Sequence, residues 1–100
     1  MKELKEHIEQ IKKLCHAHDV KSLFAFGSIV SDKLKPNSDI DLIVDIDSTD
    51  PITYTDNYFD LKFQLEEILN RPIDLLEDKA VKNPFLKQQI NNTKVLVYGR

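Results

Sequence analysis

Glycine occurs twice in the 100 residues, cysteine once and tryptophan not at all. So little glycine excludes a flexible chain and a glycine-rich phosphate loop. The lone thiol, Cys15, excludes an internal disulfide and a zinc site built mainly of thiolates, and it suits a reducing, cytoplasmic setting. No apolar run approaches the roughly 20 residues of a membrane span. The opening MKELKEHIEQ is too charged to be the apolar centre of a signal peptide. Basic excess is missing as well: 14 Lys and Arg stand against 17 Asp and Glu, a net charge of −3. That balance argues against direct binding of duplex nucleic acid through its phosphates. What remains is a 41% hydrophobic chain without repeats or linkers, read as one domain over 1–100. A chain of this length buries roughly two-thirds of its unfolded surface, enough for one modest core.

The apolar periodicity defines the elements. Leu4, Ile8, Ile11 and Leu14 recur at helical spacing opposite Lys5, Glu6, Glu9, Lys12 and Lys13. Residues 22–26, Ser-Leu-Phe-Ala-Phe, predict a buried strand ending at Gly27-Ser28, with Ser28 capping a short helix that stops before Pro36. In 39–47, Ile40, Leu42, Val44 and Ile46 alternate with Asp39, Asp41, Ile43, Asp45 and Asp47, the period of a strand with one apolar and one acidic face. A loop over 48–51 precedes a helix carried by Tyr58, Leu61, Leu65, Ile68 and Leu69. Phe59 and Phe63 widen its apolar face; they are expected in the core, with room for part of the face to serve an interface. Asn70-Arg71-Pro72 stops that helix, 73–76 is a third strand, Asn83-Pro84 opens a last helix, and 94–98 is a closing strand. The expected fold is α/β: a small mixed sheet packed with helices in the order α-β-α-β-α-β-α-β.

Asp39 and Asp41 project from one strand face with Cα atoms about 6–7 Å apart. Two like charges so close repel, and a hard divalent cation held by oxygen ligands relieves them best. A bare D-x-D is also compatible with an acidic, solvated strand face, and Gly-Ser after a strand with an ordinary helix cap. In combination they place a phosphate cradle beside a paired-carboxylate strand, as a nucleoside triphosphate with Mg²⁺ requires. Asp74, a charge among Ile73, Leu75 and Leu76, is the candidate third carboxylate of a two-metal site.

Gly27-Ser28, ten intervening residues and Asp39-Ile40-Asp41 resemble the signature of the DNA polymerase β-like nucleotidyltransferases, and 36–42, Pro-Asn-Ser-Asp-Ile-Asp-Leu, is similar to its minimal (MNT) branch. The resemblance implies a polymerase β-like core. Gly27 and Ser28 would hold the triphosphate of ATP, Asp39 and Asp41 would ligate two Mg²⁺ (or Mn²⁺), and Asp74 would complete the metal site and help deprotonate the acceptor. It also implies an antitoxin that transfers AMP to a tyrosine of a HEPN-type ribonuclease toxin. A chain this short has little room for an acceptor domain, which also directs attention to a separate protein. The alternatives are a non-catalytic module that neutralises its partner by occlusion, and a small-molecule nucleotidyltransferase.

Relatives often carry Arg-Gly shortly after Gly-Ser, where this chain has Ser31-Asp32. Asp32 would oppose phosphate charge, with Lys33 or Lys35 as compensating cations or plain surface lysines. Cys15-His16-x-His18 is read as a helix end with a favourable His rather than a metal site. Asp45, Asp47 and Asp50 are read as a solvated strand terminus, and Tyr98 as packing.

Overall fold

The computed structural model describes residues 1–99. Its elements are α1 (Lys2–Lys5), α2 (Ile8–Ala17), β1 (Val20–Phe26), β2 (Ile40–Ile46), α3 (Pro51–Leu69), β3 (Ile73–Glu77), α4 (Pro84–Thr93) and β4 (Val95–Gly99). Single 3-10 turns occupy Gly27–Ile29 and Asp78–Ala80. The strands form one mixed sheet in the order β3-β2-β1-β4. β1 runs antiparallel to both β2 and β4, while β2 and β3 are parallel. A parallel pair needs a long crossover, and α3 supplies it.

The core lies on one face of the sheet. Ile40, Leu42, Val44 and Ile46 of β2 are all fully buried, together with Ile11 and Cys15 of α2 and Leu61 and Leu65 of α3. Each buried aliphatic side chain of this kind contributes about 1.5–3 kcal/mol. On β1, Val20, Leu23 and Ala25 are buried although strict alternation would separate Val20 from the other two. A bulge between Val20 and Ser22 resolves this: the extra residue returns the apolar side chains to one face. Tyr98 packs against the core as expected.

Several boundaries differ from the periodicity, each for a local reason. The first helix breaks at Glu6–His7, so that Leu4 is buried while the Met1 ammonium donates to the Ile29 carbonyl at 3.0 Å. The short helix expected after Ser28 is only the Gly27–Ile29 turn, and Ser28 lies inside it without capping it. Asp39 and Asp47 fall just outside β2. Ile43, on the nominally acidic face, is buried. α3 begins at Pro51, well before Tyr58, because Asp50 caps it: its carboxylate accepts from the Thr53 amide at 3.4 Å and from the Thr53 hydroxyl at 2.6 Å. Asn83 caps α4 in the same way, accepting from the Phe85 and Leu86 amides. Phe59 and Phe63 do not enter the core; they are 49% and 58% exposed. No helix among the described residues is long and apolar enough to cross a membrane.

Candidate active site

Three chain segments converge at one end of β2. In the antiparallel β1–β2 pair Phe26 lies opposite Asp41, so Gly27 follows directly beside that carboxylate. In the parallel β2–β3 pair Asp41 lies opposite Asp74. The two carboxyl groups are near enough to influence one another's protonation, Asp74 acting on Asp41. Burial raises the Asp41 pKa above the usual carboxylate range, and the charges of Asp74 and then Asp39 raise it further. Asp41 is half-buried, whereas Asp39 and Asp74 are exposed.

Gly27 is the backbone counterpart of this cluster. Its φ is +76°, and a Cβ built on it would lie 2.5 Å from Asp41 Oδ2. Any side chain here would both strain the backbone and displace the carboxylate. Ser28 is partly buried within the turn, and the Ser31 hydroxyl donates to the carbonyls of Gly27 and Ser28 at 3.4 Å each.

The loops on either side of the carboxylates are fastened by residues the sequence did not single out. α3 ends at Asn70 in the left-handed conformation, and the Glu66 carboxylate then accepts the Ile73 amide at 3.0 Å, fixing the start of β3 one residue before Asp74. Arg71 Nη1 donates to the carbonyls of Lys35 and Ser38 at 2.8 and 3.2 Å, which closes the turn leading into Asp39. The Tyr58 hydroxyl donates to the Leu75 carbonyl at 2.5 Å, one residue after Asp74. An arginine and a tyrosine at unremarkable sequence positions carried no signal of these roles.

Beside Gly27 a cavity of about 560 Å³ opens between the turn and α4. Phe26, Gly27, Val30 and Ser31 line one side, and Leu86, Gln89, Ile90 and Thr93 of α4 the other. It is mainly apolar with a few polar groups, a composition suited to a small organic ligand. The amphipathic pattern of α4 was legible; the cavity was not.

The other acidic positions do other work. The Asp45 carboxylate is largely buried, with the Lys79 ammonium 3.4 Å from Oδ1, poorly aligned for a hydrogen bond and so an ion pair. That corrects the expectation of a solvated strand end at Asp45, while Asp50 is the α3 cap. Asp32 points its carboxylate to the Met1 ammonium, 3.8 Å away, and Lys33 and Lys35 are exposed. Cys15 is buried and its thiol is pushed up to about 12. His18 Nδ1 meets the Leu14 carbonyl at the end of α2 at 2.8 Å and Nε2 meets Asp60 Oδ2 at 2.5 Å, so both of its ring nitrogens are already engaged.

Whether the carboxylates suit a divalent cation follows from their own chemistry. The donors are all oxygen, and their mutual repulsion is what a cation would relieve. Among the described residues no three such groups already converge as a ready cage. Mg²⁺ is commonly held by one or two carboxylates with water and substrate phosphate completing the shell, so the Asp41–Asp74 pair with Asp39 alongside fits it.

The chain matches the family model "Polymerase beta, Nucleotidyltransferase" over residues 9–100. It is 32% identical over 98 residues to a Methanocaldococcus jannaschii chain named "Putative protein adenylyltransferase", covering 97% of each. It is similar to a chain in the crystal structure of a toxin-antitoxin with AMP-PNP, with TM-score 0.72 and 25% identity, over 93% of this chain and 73% of that one. It also shares its fold with a chain of the tri-AMPylated Shewanella oneidensis HEPN toxin in complex with MNT antitoxin. There the TM-score is 0.66 and the identity 22%, over 96% of this chain and 72% of that one. With a sequence match that takes in β1, β2 and β3 and a fold that brings Gly27, Asp41 and Asp74 together at their ends, the chain belongs to the polymerase β nucleotidyltransferase family and is a nucleotidyltransferase.

Proposed function

We propose that this chain transfers AMP from ATP, with Mg²⁺, to a tyrosine hydroxyl of a HEPN-type toxin and acts as its antitoxin. The observation that carries the reading is the placing of Asp41 opposite Asp74 on neighbouring strands directly beside Gly27, a carboxylate pair against a backbone that takes no side chain without displacing Asp41. The relative's name, "Putative protein adenylyltransferase", and the AMPylated toxin seen with a chain of the same fold support the nucleotide and the acceptor.

In this mechanism Gly27 and Ser28 hold the triphosphate, and the cavity against α4 takes the nucleoside. Asp39, Asp41 and Asp74 hold the cation, which when bound neutralises charge on the phosphates. The acceptor oxygen bonds to the α-phosphorus while the bond from that phosphorus to the bridging oxygen breaks, and pyrophosphate leaves. The acceptor proton passes to Asp74, the exposed member of the Asp41–Asp74 pair. Positioning and charge neutralisation supply most of the rate.

The test is intact mass spectrometry of the toxin after incubation with this chain, ATP and Mg²⁺. Adenylate mass on a toxin tyrosine is expected from wild type and is lost in Asp39→Ala with the fold retained; an unmodified toxin overturns the reading. Protection of cells by Asp39→Asn/Asp41→Asn would instead favour occlusion without chemistry.

A further inference from the structure

We infer that Lys94 is a phosphate-binding residue, whose ammonium meets the triphosphate of the nucleotide beside Gly27 and the carboxylates. This role rests on the reading of ATP as donor. Leu23 and Ala25 are buried in the core, so Phe24 and Phe26 face the other side of the sheet, where both are half-buried. Phe26 lies opposite Asp41 and Phe24 opposite Ile43, and directly opposed side chains share a face. Asp74, opposite Asp41 on β3, stands on that face too. The Lys94 ammonium lies 4.2 Å from the centre of the Phe24 ring. It is therefore on the carboxylate face, over a residue diagonal to Asp41 and about 7–8 Å from it on the sheet. The start of β4 also adjoins the nucleotide site, because Thr93, one residue before Lys94, lines the same cavity as Phe26 and Gly27. The Lys94 amide donates to the Ile90 carbonyl at 2.8 Å, and Val95 then pairs with Ala25. With the backbone so fixed, only the flexible four-carbon stem has to swing.

Charge gives the ammonium its task. Asp39, Asp41 and Asp74 already stand at this end of the sheet, and a triphosphate beside them sets negative charge against negative. Arg71 is engaged by the Lys35 and Ser38 carbonyls, and Lys79 by Asp45. Lys33 and Lys35 are exposed on the loop before Asp39. Lys94, by contrast, is half-buried on the site face, with no carboxylate in salt-bridge contact among the described residues. An aromatic ring at a half-exposed site holds an ammonium weakly, whereas phosphate oxygens bind it through charge-assisted hydrogen bonds. Phe24 thus keeps the ammonium on the site face of the free protein and yields it to the nucleotide.

The experiment measures binding by calorimetry with no acceptor present, so that the result is independent of transfer. Lys94→Met keeps an apolar stem over Phe24 and removes the charge. It is expected to weaken the Kd of Mg²⁺·AMP-PNP about tenfold or more, and that of inorganic tripolyphosphate by a similar factor, with the melting curve unchanged. Its Kd should also depend less steeply on NaCl. Lys94→Arg, which keeps the charge, is expected to stay within about threefold of wild type for both ligands. An unchanged Kd for AMP-PNP in Lys94→Met overturns the inference. So does a loss that tripolyphosphate does not share, which would place the side chain at the nucleoside. A loss that Lys94→Arg repeats would make shape rather than charge the cause, and overturns it as well. A wild-type chain that binds no AMP-PNP would sink ATP as donor and this inference with it. Lys94-dependent binding without adenylate on a toxin would leave this inference standing and sink only the choice of acceptor.

Discussion

The chemistry of the site rests on an electrostatic conflict at Asp41. Its folded-state pKa is raised, by burial first and by Asp74 and Asp39 after it. The folded protein therefore binds more protons than the unfolded chain, and this group's contribution to stability declines as pH rises from the unfolded pKa through the folded one. At neutral pH the charged form works against the fold. Asp41→Asn is accordingly expected to melt higher than wild type in metal-free buffer while losing transfer by about 100-fold or more, as read by calorimetry and a pyrophosphate-release assay. A lower melting temperature would contradict the repulsion. Gly27→Ala is expected to destabilise by about 1–3 kcal/mol through its left-handed backbone, with a further cost from the Asp41 contact. In a double-mutant cycle that further cost should vanish with Asp41→Ala, since the clashing oxygen is gone; additive effects would place the strain elsewhere.

At the scale of elements, the site depends on three fastenings: Glu66 on the β3 amide, Arg71 on the turn before Asp39, and the Asn83 cap on α4. Arg71→Ala should leave nucleotide binding near wild type while lowering kcat about tenfold, because Asp39 loses its fixed approach; an unchanged kcat would make Arg71 merely a surface staple. Asn83→Ala should cost about 1 kcal/mol by loss of the cap. Because α4 forms one wall of the cavity and buries only Ile90, its loosening is expected to raise KM for ATP more than it lowers kcat. Caps and amphipathic spacing were legible in these segments, since both are local. Where α3 begins was also written locally, in Asp50-Pro51, but the apolar count drew attention to Tyr58 and beyond.

For the whole molecule, the excess of acid over base is partly a property of the site. A ligand that binds only the folded form stabilises it by mass action, about 2.7 kcal/mol at a hundred times its Kd. Mg²⁺ is therefore expected to raise the melting temperature of wild type and to have little effect on Asp39→Asn/Asp41→Asn; equal shifts in both would remove the metal from these carboxylates. Composition, the helical and strand periods, the Gly27-Ser28 turn and the Asp39-x-Asp41 spacing are properties of neighbouring residues, and the chain alone determined them. The opposition of Asp41 to Asp74 required the parallel pairing of β2 with β3 across the 19 residues of α3. The same holds for the approach of Gly27 to Asp41, the reach of Arg71 and the cavity beneath α4. Phe59 and Phe63 show the limit most plainly: their hydrophobicity belongs to the sequence, but only packing decided which side of α3 the sheet would cover. Such contacts join segments far apart in the chain, and local spacing holds no information about which distant surfaces will meet.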